Sequence, residues 1–117
     1  MKCMHMDSAY TTIGVRDVAR LLKDPNFLFI DVREPEECAD GMPQGAENVP
    51  LGSISLWIED AGVDQTTPIA FICRSGGRSA AAATLVHEHG FENLYNIAGG
   101  YIDWVNEGLP SSLPESD

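Results

Sequence analysis

Cys73 stands between an apolar run, residues 68–73, and the stretch Arg74-Ser75-Gly76-Gly77-Arg78-Ser79, after which an alanine-rich helical pattern opens. A thiol is a weak nucleophile at neutral pH; the thiolate is the reactive species, and positive surroundings favour it. Three local features supply them. The loop precedes a helix N-terminus, which carries partial positive charge. Gly76 and Gly77 permit the positive φ values with which backbone N–H groups from Arg74 to Ser79 turn inward as an anion nest. Arg74 and Arg78 add two full charges. The C-terminal end of a buried parallel strand is also where open α/β sheets place ligands. A cysteine acting only as a small hydrophobe would suit the apolar residues before it. It would not explain Arg-Ser-Gly-Gly-Arg-Ser after it.

The elements that must position this loop alternate between short apolar runs and helical patterns, the rhythm of an α/β domain around a parallel sheet. Strands are predicted at residues 10–13, 27–30, 47–49, 68–73 and 93–97. The runs at 27–30 and 68–73 are apolar without alternation, as strands buried on both faces are. Helices are predicted at 15–22, 34–40, 53–60, 79–89 and 101–106. Pro35 suits the first turn of the second, and Glu36 and Glu37 sit where the helix dipole favours acids. Gly62, Gly90 and Gly108 mark later helix ends. Residues 1–9 and 111–117 read as flexible tails around a domain spanning 10–110.

Composition narrows the function. The chain has 117 residues, enough for one domain with one core, and a formal net charge of −11. Seven basic residues against eighteen acidic ones make no nucleic-acid face and disfavour anionic membrane surfaces. An anion bound here is drawn by a local field against the global one, which gives Arg74 and Arg78 added weight. The start of the chain has no apolar signal-like stretch, so a cytoplasmic location is expected. Three cysteines without a C-x-x-C pair argue against a disulfide framework, a zinc ribbon or a redox pair.

The segment Cys73 to Ser79 resembles the active-site loop of the rhodanese sulfurtransferases, and three further segments extend the resemblance over nearly the whole chain. Phe29-Ile30-Asp31-Val32-Arg33, followed by Glu34-Pro35-Glu36-Glu37, is similar to the family's Asp-Val-Arg segment. Gly45-Ala46-Glu47-Asn48-Val49-Pro50-Leu51 is similar to its Gly-Ala-x-Asn-Ile-Pro segment. Ala98-Gly99-Gly100-Tyr101-Ile102-Asp103-Trp104, with Gly108-Leu109-Pro110, is similar to its Gly-Gly-x-x-x-Trp signature. One departure is Gly41-Met42-Pro43, where the family usually has Gly-His-Ile; a different backbone route near Pro43 could affect access to the site.

The resemblance implies a three-layer α/β/α fold with a five-stranded, mainly parallel sheet. It implies a sulfurtransferase in which Cys73 takes sulfane sulfur from a donor anion such as thiosulfate and passes it, as a persulfide, to cyanide or a thiol. A sulfur-carrier protein is a further acceptor of that class. Arg74, Ser75, Gly76, Gly77, Arg78 and Ser79 would bind the donor, and no metal or organic cofactor is needed. Asp31 and Arg33 are expected to support the site, with Asp31 holding the loop or Arg78.

Two rivals are weighed. Cysteine-dependent phosphatases, and arsenate reductases on the same fold, use a Cys-x5-Arg loop. Here four residues separate Cys73 from Arg78, a smaller ring that suits one sulfur better than a tetrahedral oxyanion. A non-catalytic binding module is the other rival, weakened because the cysteine, glycines and arginines are all retained. Cys38 is read as structural, since its acidic neighbours raise its pKa. The soft-ligand cluster Cys3-Met4-His5-Met6, the pair His87 and His89, and the core anchors Trp57 and Trp104 are not assigned to the site.

Overall fold

Five short parallel strands form the middle layer of the protein. The computed structural model describes residues 9–113. The strands are β1 (Thr11–Ile13), β2 (Leu28–Asp31), β4 (Glu47–Asn48), β5 (Ile69–Ile72) and β6 (Leu94–Ile97), in the order β1-β6-β5-β2-β4. Every pairing among them is parallel, with Ile30 opposite Phe71 and Phe71 opposite Asn96. β5 is central and wholly buried, which is why its sequence is apolar at every position.

The alternation of side chains along β5 divides the core in two. Ile69, Phe71 and Cys73 pack with Ile54 and Ile58 of α3 (Ile54–Ala61) and with Ala82, Ala83 and Val86 of α4 (Gly77–Glu88). Ala70 and Ile72 pack on the other face with Val18 of α1 (Val18–Leu21) and Trp104 of α5 (Gly100–Asn106). These are the three expected layers. Ala82 and Ala83 of α4 are buried where the helix meets the sheet, and their small side chains let it lie close. No helix among the described residues is long and apolar enough to cross a membrane.

Three departures from expectation shape the surroundings of the site. α4 begins at Gly77, not Ser79, because Gly76 adopts φ 113° and turns the chain into the helix two residues early. Arg78 and Ser79 therefore lie in its first turn. The helix expected over 34–40 is α2 (Pro35–Cys38), closed by Gly41 N–H donating to Cys38 O at 2.9 Å. The third difference is a correction. The stretch 111–117 was expected to be a tail, yet β7 (Ser111–Ser112) pairs antiparallel with β3 (Met42–Pro43). Gln44 N–H donates to Pro110 O, Trp104 Nε1 donates to the same carbonyl, and Tyr101 Oη donates to Ser111 Oγ. These bonds hold residues 110–112 down, and Pro43 is tolerated because the pair is a two-residue edge. Residues 1–8 of the expected N-terminal tail, with the Cys3-Met4-His5-Met6 cluster, and residues 114–117 lie outside the described residues.

The N-terminus of α5 is fastened directly to the end of β5. Tyr101 N–H donates to Cys73 O at 2.8 Å and Ile102 N–H to Arg74 O at 3.2 Å. Gly100, at φ 57°, makes this possible: a Cβ there would run into the carbonyl oxygens of both Cys73 and Arg74. Substitution Gly100→Ala is expected to cost about 2–4 kcal/mol, from a strained left-handed residue and overpacking against backbone. Urea unfolding of the two proteins checks this; a midpoint unchanged by the substitution would contradict the close approach.

Candidate functional site

Cys73 follows the last residue of β5, and its side chain is almost wholly covered, at 1% exposure. The chain turns sharply after it, so that backbone donors come back over the sulfur. Gly76 N–H donates to Cys73 Sγ at 3.1 Å, and Ser79 Oγ lies 3.4 Å from it. Burial pushes the Cys73 thiol up. The Ser79 hydroxyl and the backbone N–H groups of Ser79, Gly76 and Ser75 oppose that and prevail, leaving the thiol below its ordinary value. Ser79 is itself buried and donates to Asn96 Oδ1, on β6, at 2.5 Å. Gly77 opens α4 and is exposed.

The two arginines of the loop have different fates. Arg78 forks onto Glu37 of α2, with Nη1 to Oε1 at 2.7 Å and Nη2 to Oε2 at 2.9 Å. This bidentate pair, with the Glu34 N–H at the helix start, holds the Glu37 carboxyl down to about 2. Arg74 is exposed and lines a groove with Arg33, Glu37, Tyr101, Ile102, Val105 and Asn106. Among the described cations, Arg16, Arg20, Arg33 and Arg78 each pair with a carboxylate. Arg74 and Lys23 enter no such pair among the described residues.

Asp31 does not hold the loop or Arg78, contrary to expectation. Both its oxygens take Arg33, through Nε at 3.0 and 3.1 Å and Nη2 at 2.8 Å. Arg33 lies two residues further along the same strand direction, so the two side chains share a face; the Arg78 fork is committed to Glu37. Arg33 is 5% exposed, donates to Gly41 O at 2.9 Å, and lies 4.3 Å over the Tyr101 ring. Its charge is kept despite burial because Asp31 compensates it. The pair thus joins β2, the turn after α2 and α5 behind the loop. Met42 and Pro43, which depart from the family pattern, are buried in β3 and line no part of the Arg74 groove.

Cys38 is fully buried, and its thiol is pushed up to about 11, first by burial and then by the Asp31 carboxylate. It is a poor nucleophile. His87 and His89 each bind a backbone carbonyl through Nδ1, those of Phe91 and Leu85. Trp104 is a core anchor, stacked obliquely on Phe29. Trp57 is half-buried and lines a separate hollow with Asn48, Pro50 and Leu56.

Glu37, Asn96 and Tyr101 belong to the site but were not predicted for it. Asn96 carried a signal: it stands two residues after Leu94, on a face of β6 that is otherwise core, and a polar residue there needs a partner. Glu37 carried none beyond its place in a first helical turn.

Residues 15–107 match the model of the Rhodanese-like domain. The chain is 33% identical over 96 residues to a sulfurtransferase of Allochromatium vinosum, covering 82% of this chain and 88% of that protein. It is 26% identical over 108 residues to the thiosulfate sulfurtransferase GlpE of Glaesserella parasuis, covering 92% and 98%. Its fold is similar to that of the polysulfide-sulfur transferase homodimer of Wolinella succinogenes, with a TM-score of 0.77, 31% identity, and coverage of 96% of this chain and 84% of that one.

The Glu37–Arg78 pair places a carboxylate where an incoming anion would otherwise meet Arg78. Glu37→Gln is expected to speed alkylation of Cys73 by anionic iodoacetate relative to neutral iodoacetamide roughly fivefold, from about 1 kcal/mol of Coulomb energy at a wet surface. An unchanged ratio of the two rates would show that Glu37 does not screen Arg78 from the reagent.

Proposed function

The chain belongs to the rhodanese-like domain family, and we propose that it is a sulfurtransferase moving sulfane sulfur from a small donor anion, such as thiosulfate, to a thiophilic acceptor. The observation that carries the proposal is the Cys73 sulfur, buried at a strand end under the Gly76 N–H and the Ser79 hydroxyl, with its thiol lowered by those donors.

The Cys73 thiolate attacks the outer sulfur of thiosulfate. A bond forms between Sγ and that sulfur, the sulfur–sulfur bond of the donor breaks, and sulfite leaves with the bonding pair. Cys73 then carries a persulfide. The N–H groups of Ser75, Gly76 and Ser79 stabilise the terminal sulfur anion as an oxyanion hole stabilises oxygen. An acceptor (cyanide, a thiol or a sulfur-carrier protein) attacks the outer sulfur and returns the thiolate, so one difficult displacement becomes two easier ones. These steps need no metal or organic cofactor. Arg74, free of any carboxylate among the described residues, draws the anionic donor; Arg78, with its fork on Glu37, contributes a partly neutralised charge. Asp31 and Arg33 support the turn from behind. The reaction belongs to a cytoplasmic setting where small thiols are abundant.

The phosphatase rival is less well supported. It needs an arginine free to close around a tetrahedral phosphate, and the Arg78 fork is engaged.

Intact mass distinguishes the readings. Thiosulfate is expected to add one sulfur atom to the protein, cyanide to remove it, and Cys73→Ser to abolish both changes. Thiocyanate release should be lost in the same variant. A mass unchanged by thiosulfate and by polysulfide, with Cys73-dependent release of phosphate from an aryl phosphate, would overturn the sulfurtransferase assignment.

A further inference from the structure

Ser79 has one hydroxyl proton and two neighbours able to accept it. Its Oγ lies 2.5 Å from Asn96 Oδ1 and 3.4 Å from Cys73 Sγ. While Cys73 is a thiol, all three groups are satisfied: S–H donates to Ser79 Oγ, and Ser79 O–H donates to Asn96 Oδ1. When the thiol proton leaves to water, Sγ can only accept. A hydrogen bond to the anion is the stronger one, so the Ser79 proton turns to sulfur. Ser79 Oγ and Asn96 Oδ1 would then face each other at 2.5 Å with no proton between them.

Asn96 carries the means to resolve this. Its carboxamide has two donors on Nδ2. That nitrogen bonds to no other described residue, and no buried side-chain nitrogen or oxygen among the described residues lacks a partner, so Nδ2 keeps contact with solvent. Asn96 is 7% exposed. Turning the amide over therefore breaks no bond to the protein except the one that the new protonation state has already broken.

We infer that Asn96 is a positioning residue: it accepts the Ser79 proton while Cys73 is a thiol, and turns to donate Nδ2–H to Ser79 Oγ once the thiolate forms. The strand position explains why the group can act. Asn96 sits opposite Phe71 in the pairing of β6 with β5, two residues before Cys73. The relay concerns the thiol itself and serves any reaction of the Cys73 thiolate, so it stands or falls separately from the choice of sulfur donor.

The charged and titratable groups on the elements around Cys73 include Arg74 in the loop, Arg78, His87 and Glu88 on α4, Glu37 on α2, Asp31 and Arg33 at the end of β2, Tyr95 on β6, and Tyr101 and Asp103 on α5. Glu37 and Arg78 are paired, Asp31 and Arg33 are paired, and Tyr101 Oη bonds to Ser111. Substitution of Asn96 leaves all these contacts in place.

The test is the pH dependence of Cys73 alkylation by neutral iodoacetamide. In Asn96→Leu the thiol form loses the Ser79 O–H bond to Oδ1, and the thiolate form loses the Nδ2–H bond to Ser79 Oγ, which the anion strengthens by polarising the hydroxyl between them, so the midpoint is expected to rise by about half a unit to one unit. Ser79→Ala is expected to raise it as well, and adding Asn96→Leu to Ser79→Ala should then change nothing further. A fall in the midpoint of Asn96→Leu would show that Asn96 only competes with sulfur for the Ser79 proton, and would overturn the proposal. So would additive effects in the double variant. A second measurement uses the unaltered protein. The side-chain amide resonances of Asn96, followed by NMR through the titration, are expected to shift with the same midpoint as Cys73 and to stay fixed in Cys73→Ser. Resonances that remain fixed in the unaltered protein would equally overturn it.

Discussion

A sulfur anion at the end of β5 can be held only by groups within a few ångströms of it, because the chain as a whole repels negative charge. Its net charge is −11, and two of the three arginines near the loop are already bound to carboxylates. What faces the sulfur is a set of neutral dipoles: the Gly76 N–H and the Ser79 hydroxyl, with the N–H groups of Ser75 and Ser79. Dipoles fixed in place need no rearrangement when charge appears, which is how preorganised sites stabilise anions. The sharp turn at Gly76 and the early start of α4 both follow from this requirement. Each brings donors onto a side chain that the strand would otherwise direct into the core.

The dipoles keep their aim because the loop is held from behind. α5 grips the carbonyls of Cys73 and Arg74, and Gly100 allows the two backbones to meet. Tyr101, the next residue, lies against Arg33, which is bound to Asp31 and to the carbonyl of Gly41. A buried ion pair of this kind contributes little net stability compared with an apolar substitute. Its use here is geometric: a guanidinium joins a strand end, a turn and a helix with directional bonds, which no aliphatic side chain could do.

The sequence made the loop legible because its parts are contiguous. Cysteine, glycines and arginines fall within seven residues, and the strand before them is apolar throughout. The five strands and the parallel sheet followed from runs and periods of similar locality, and the three layers from the family resemblance that those segments carry. What was missed depends on pairing across distance. Glu37 and Arg78 were each visible as charges, but nothing local says that they meet, or that Asp31 prefers Arg33. β3 and β7 are two residues each, too short to show an alternation, and β7 falls among the polar residues that suggested a tail. Helix α4 starts early because of the backbone angle at Gly76, which composition permits but does not dictate. Asn96 could have been found as a polar residue on a core face of β6.

The cradle of neutral dipoles has a consequence for how ionic strength acts on this protein. Counterions screen charges that reach solvent over about 8 Å at physiological salt, but they do not enter a covered site to weaken hydrogen bonds within it. The field of Arg74, exposed at the groove, is therefore diluted by salt, whereas the stabilisation of the sulfur anion is not. Encounter with a charged reagent and reactivity of the sulfur are set by separate parts of the molecule, and dissolved salt addresses only the first.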